Sequence, residues 1–125
     1  MEDATAQARV YTAYGSVERP SANRLTFKFA INQVQYMFTA NISSTLPYFN
    51  APNVVLYYNS SDHLTGTRTF EGHIGKGDLE IKFENGPRVI GNLGRQIDER
   101  NTVNGSGTWG ARSGGVDEAD KAGED

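Results

Sequence analysis

The chain has 125 residues, no cysteine, 15 acidic and 12 basic side chains, and a formal charge of −3. That length suits one ordinary domain with one core, and the missing cysteine excludes disulfides and thiolate chemistry. The surplus charge sits in residues 110–125, where Asp117, Glu118, Asp120, Glu124 and Asp125 face only Arg112 and Lys121. Residues 1–109 are balanced, with bases scattered singly rather than clustered as nucleic-acid binding requires.

The opening MEDATAQARV has two acids and no apolar run, so it does not read as a secretory signal. With no apolar stretch of membrane-spanning length, the expectation is a cytoplasmic protein with neither membrane nor nucleic acid as partner. Residues 1–8 are expected to fray. Arg9 to Val17 reads as a strand with Val10, Thr12 and Tyr14 marking one face. Leu25, Phe27, Phe29 and Ile31 then alternate with polar or small residues, a half-buried strand. The next apolar set, Val34, Tyr36, Phe38 and Ala40, has the opposite parity. A phase change at Asn32-Gln33 predicts a tight hairpin, with a bulged, bent strand as the alternative.

Val54 to Tyr58 is a β-branched and aromatic run between turn residues, and Tyr57 and Tyr58 must point to opposite faces. Leu64, Gly66, Arg68, Phe70, Gly72 and Ile74 alternate with Thr65, Thr67, Thr69, Glu71 and His73 up to a hairpin at Gly75-Lys76-Gly77. Leu79, Ile81 and Phe83 form the cleanest amphipathic strand, and Glu84-Asn85-Gly86-Pro87 is a hairpin signal after which Pro87 can open a strand. Val89, Gly91 and Leu93 continue. Gly91 to Asn101 has room for one helical turn. The last strand, Thr102 to Trp109, places Val103, Gly105, Gly107 and Trp109 on one face. Residues 110–125 then read as a disordered acidic tail, because Val116 is their only sizeable aliphatic.

About eight short strands with turn signals between them predict an all-β, single small antiparallel β-barrel over residues 9–109, with a β-sandwich as the alternative. Glycines 66, 72, 91, 105 and 107 favour the barrel, because glycine inside a strand lets a sheet coil sharply. The segment Gly105-Ser106-Gly107-Thr108-Trp109 contains a Gly-Thr-Trp that resembles the Gly-x-Trp signature of the calycins, the lipocalin, fatty-acid-binding and avidin-like barrels. In that family the signature lies on the first strand and its tryptophan closes one barrel end. Here it lies on the last.

Tyrosine and tryptophan suit the walls of a small-ligand site. The ligand-binding candidates are Tyr14, Tyr36, Tyr58, Arg68 and Trp109, with Arg68 occupying an inward position where an apolar residue is expected. The catalytic candidates are Arg68, Glu71 and His73, since a carboxylate and an imidazole two apart on a strand share a face. No third metal ligand joins them, and no P-loop, G-x-S-x-G, H-E-x-x-H or Rossmann pattern occurs, so neither metal nor cofactor is expected. The N-x-S/T triplets at Asn41, Asn59 and Asn104 read as chance in an Asn-rich chain. The expected function is a non-catalytic binding module that holds a small apolar or aromatic ligand in a barrel cavity. The alternatives are a cofactor-free isomerase or cyclase, a lectin-like carbohydrate binder, and a homo-oligomeric assembly protein.

Overall fold

The computed structural model describes residues 9–113, and what the sequence suggests for residues 1–8 and 114–125 lies outside that span. Eight strands follow in chain order: β1 (Tyr11–Ser21), β2 (Arg24–Ile31), β3 (Val34–Ile42), β4 (Asn50–Tyr58), β5 (Thr67–Ile74), β6 (Asp78–Phe83), β7 (Arg88–Asn92) and β8 (Asn101–Ser113). They close into one antiparallel barrel in the order β1-β2-β3-β8-β5-β6-β7-β4. The barrel is therefore two Greek keys in tandem. Each is a three-stranded meander (β1–β3, β5–β7) whose fourth strand returns beside the first. Up-and-down barrels such as the lipocalins run neighbour to neighbour instead, so the Gly-Thr-Trp likeness does not extend to the connectivity.

Local chemistry accounts for the hairpins. Asn32 and Gln33 both have positive φ, 52° and 68°, the two-residue turn whose twist matches paired strands. At the β5–β6 turn the Gly75 amide donates to the Asp78 carbonyl at 2.7 Å. At the β6–β7 turn the Gly86 amide donates to Phe83 O at 3.1 Å, and Gly86 has φ +122°.

Three features depart from the simple alternation. In β1 the inward residues are Ala13 and Val17, while Val10 and Tyr14 are 63% and 73% exposed. The face marked by Val10, Thr12 and Tyr14 is thus the outside, and the small inward residues let β1 hug β2. A Cβ on Gly15 would collide with the Lys28 carbonyl. Strand β4 starts at Asn50, ahead of Val54, and bulges: Gly15 pairs with Val54 but Val17 with Ala51. The bulge falls on Pro52-Asn53, where a missing N–H costs no ladder bond, and it turns both Ala51 and Val54 inward. Finally, β8 runs past Trp109 to Ser113, because Val34–Met37 of β3 offers it a continuing ladder. Residues 110–113 therefore belong to the barrel rather than to the tail.

The barrel axis is filled by rings. Phe38 sits 4.9 Å from Phe83, 5.0 Å from Trp109, 5.7 Å from Phe27 and 5.9 Å from Phe70, centroid to centroid. Most of these pairs are edge-to-face, the geometry that ring quadrupoles favour. Leu79, Ile81 and Phe83 all point inward, buried. Gly107 makes room for this packing, since a Cβ there would lie 2.7 Å from the Phe38 ring.

The two ends are closed differently. At the far end, where β1 stops, the β3–β4 and β7–β8 connections cross over the opening and bury Leu46, Phe49 and Leu93. Hydrogen bonds from Leu46 N to Ala22 O (2.7 Å), Leu93 N to Gly77 O (2.9 Å) and Ile97 N to Lys76 O (2.9 Å) hold them there. The β7–β8 connection has no helical turn. The short 3-10 turn of the chain is Ser61–His63, capped by the Ser60 hydroxyl, in the β4–β5 connection. Leu64 of that connection, expected in a strand, is buried instead under the near end, where β1 begins and β8 stops.

Candidate functional site

Tyr58 points into the barrel at the near end of β4, and Tyr57 points out. Its ring is buried and lies 5.6 Å from that of Tyr11, its register partner on β1. Tyr36, inward-facing on β3, packs against the core beside them. Burial raises the Tyr58 phenol above its ordinary pKa, and the Tyr36 and Tyr11 phenols raise it further. Deeper in, Trp109 is 6% exposed, and its indole N–H meets no acceptor among the described residues. The near end thus finishes in a mouth of phenols beside the indole and phenyl rings of the core, with Phe29 6.4 Å from Trp109. None of the described concavities is lined by Tyr11, Tyr36, Tyr58 or Trp109.

Of the residues singled out from sequence, Tyr36, Tyr58 and Trp109 converge on this mouth. Tyr14 does not, because β1 turns it to solvent. Tyr11 belongs to the mouth although it is not among the ligand-binding candidates named from sequence. Its parity follows once Ala13 and Val17 are recognised as the core side of β1. Arg68 occupies an inward register position opposite Gly107, as its spacing implied, but it is half-buried at the near end. Its Nε donates to the Thr65 carbonyl at 3.0 Å. Neither Glu80 nor Glu71 on the neighbouring strands is paired with it: Glu80 lies 3.9 Å from Arg88, and Glu71 faces Lys82. A charge left at a water-accessible rim with one backbone acceptor costs far less than a buried, unpaired one.

Comparison with known proteins finds no family model, no curated protein and no solved structure that matches the chain.

Glu71 and His73 lie on the outer wall of β5, away from the mouth. His73 Nε2 stands 3.3 Å from Asp78 Oδ1, and Arg100 Nη2 donates towards His73 Nδ1, also at 3.3 Å. The ring thus bridges the Asp78 carboxylate and the Arg100 guanidinium through its two nitrogens. The groups an acid–base mechanism would need are therefore apart, with Arg68 at one end and Glu71 and His73 outside the wall. Among the described residues, no three histidine or carboxylate side chains are grouped to hold a metal ion. The described concavities also open outward. Two adjoin over β5 and β6, of about 440 and 350 Å³, one of about 180 Å³ lies over β3 and β8 between Gln35, Met37 and Gly110–Arg112, and one of about 370 Å³ lies at the far end between Pro47, Ile97, Asp98 and Glu99.

No helix among the described residues is long and apolar enough to cross a membrane. Two cation–aromatic pairs are present, Arg88 over Tyr57 on the outer wall at 5.3 Å and Arg19 near Tyr48 at the far end at 5.9 Å.

Proposed function

We propose that the protein is a non-catalytic binding module that grips a small apolar or aromatic group at its tyrosine mouth. The grouping of Tyr11, Tyr36 and Tyr58 at the near end of the ring core that includes Trp109 supports this reading, since rings with polar tips can cover an apolar ligand while keeping their hydroxyls towards water. Because phenyl rings fill the mid-barrel, the ligand enters only the mouth and not a deep cavity. Tyr11, 43% exposed, is the side chain free to close over it. Shallow aromatic sites of this kind bind by covered area, and each ring adds about 1.5–3 kcal/mol when fully covered.

Titration with a panel of lipophilic fluorophores tests the reading, with the single tryptophan, Trp109, as internal reporter. The expected result is saturable binding that quenches Trp109 and weakens about ten-fold or more in Tyr11→Ala, an exposed position whose truncation leaves the core intact. Absence of saturable binding across the panel refutes the mouth as a site.

A further inference from the structure

A second candidate surface is the outer wall of β5 and β6, where the two adjoining concavities share Glu71 and Lys82. Register places the surrounding groups in two rows across three strands. One row is Asn104, Glu71 and Lys82, and the other is Thr102, His73 and Glu80. Cross-strand neighbours hold their Cβ atoms about 5 Å apart, so acceptors and donors alternate at close, fixed spacing in both directions. The Arg100 guanidinium lines one end of the groove, and Thr69 and Glu84 line the other. Glu84 is itself anchored, accepting from the Thr69 amide at 2.8 Å.

Two properties narrow what this groove can take. The first is its charge balance: Glu71, Glu80 and Glu84 are set against Lys82 and Arg100, with Arg88 3.9 Å from Glu80. Neither a polyanion nor a polycation gains from such a surface, because every attractive contact sits beside a repulsive one. The second is pre-organisation. His73 is fixed between Asp78 and Arg100, and its side chain is only 16% exposed, so little ordering entropy is lost on binding. A ligand that is uncharged, yet carries donors and acceptors at short intervals, satisfies both. Vicinal hydroxyls donate to carboxylates and accept from ammonium and guanidinium groups, and the groove runs about 13 Å along the wall from Thr69 to His73 at 3.3 Å per residue.

We infer that the outer wall over β5 and β6 is a binding groove for a neutral oligosaccharide, read by Glu71, Glu80, Lys82 and Arg100, with His73 holding the Arg100 guanidinium in place. This site is independent of the tyrosine mouth and stands or falls separately from it.

The test is amide-resolved NMR titration of the whole chain with cello-, xylo- and manno-oligosaccharides as probes, alongside a sulfated and a uronate-containing oligosaccharide. The expected result is that at least one neutral probe gives saturable shifts confined to Thr69–His73, Glu80–Lys82 and Thr102–Asn104. The double variant Glu71→Ala/Lys82→Ala should weaken that probe about ten-fold or more, one charge-assisted contact's worth. Both side chains are exposed, so the variant keeps its fold, which an unchanged amide spectrum away from the groove verifies. Tyr11→Ala should leave sugar affinity unchanged, while Glu71→Ala/Lys82→Ala leaves fluorophore binding unchanged. The inference is overturned if no neutral probe saturates, if only the acidic probes bind, or if binding survives the double variant.

Discussion

Replacing Phe38 by alanine distinguishes a packed barrel from a ligand-holding one. Phe38 is fully buried, with Phe27, Phe70, Phe83 and Trp109 all within 6 Å, centroid to centroid. Removing its ring forfeits the transfer term, about 2 kcal/mol for a large buried side chain. It also leaves a void of roughly 100 Å³, which at about 24 cal/mol per Å³ adds about 2.4 kcal/mol. The sum, about 4 kcal/mol, falls within the range of about 3–5 kcal/mol usual for buried Phe→Ala and is a large share of a stability of about 5–15 kcal/mol.

Urea unfolding followed by Trp109 emission measures it. The midpoint should fall with m unchanged, and Phe38→Leu should lose less than half as much because most of the volume is kept. An alanine variant that loses under about 1 kcal/mol would refute the packing argument, since only a side chain bordering empty space escapes both the transfer and the cavity terms.

Three further predictions follow from local geometry. Stability should decline as pH rises past about 10, where tyrosines of the unfolded chain ionise while burial holds the proton on Tyr58. The native state then binds more protons than the unfolded one, so the loss is complete once Tyr58 also ionises and absent below the unfolded pKa. Urea midpoints between pH 8 and 12 should show a smaller decline in Tyr58→Phe than in the parent. A Cβ on Gly105 would strike the Asn41 carbonyl, whereas one on Gly110 meets nothing within 4 Å. Gly105→Ala should therefore cost at least about 2 kcal/mol and Gly110→Ala less than about 0.5 kcal/mol in the same assay. Gln33 holds φ +68°, a left-handed conformation that disfavours a side chain by about 1–2 kcal/mol. Gln33→Gly should raise the thermal midpoint by a few degrees, and a lower midpoint would contradict the turn geometry.

Much of this architecture can be read from the chain because the relevant forces are local. The phase change at Asn32-Gln33 demanded a hairpin, and the alternation of Leu79, Ile81 and Phe83 demanded an inward face. Both depend on a few neighbouring residues. The β1 face could not be read in that way. Its inward residues are small because β2 and the central rings leave them no room, so counting apolar side chains selected the wrong side and with it Tyr14 in place of Tyr11. The Pro52-Asn53 bulge misled in a related way, since one extra residue inverts the parity on which the strand assignment rests. The pairing of β4 with β1 and of β8 with β5 left no local trace, because the ladders that close the two Greek keys join segments far apart in sequence. For the candidate site, parity sufficed for Tyr36, Tyr58 and Trp109. For Arg68, Glu71 and His73 it gave the correct face but not the partners, which depend on register across strands.

The glycines that suggested a coiled barrel also explain why its centre is packed with rings. An eight-stranded barrel is just wide enough for its own side chains to fill. At Gly72 and Gly105 a Cβ would collide with the carbonyl of the adjacent strand, so the wall there is drawn in further than any residue with a side chain would allow. Into that narrowed interior the chain places Phe27, Phe38, Phe70, Phe83 and Trp109, and the rings occupy the axis. The proposed recognition falls to the surfaces this packing does not use. At the near end, the inward face runs out of phenylalanines and finishes in tyrosines, whose hydroxyls can remain in water. On the wall outside Gly72, the drawn-in strands bring Glu71, His73, Glu80 and Lys82 together over a polar groove. Tight coiling thus fills the middle of the barrel and shapes both surfaces proposed as ligand sites.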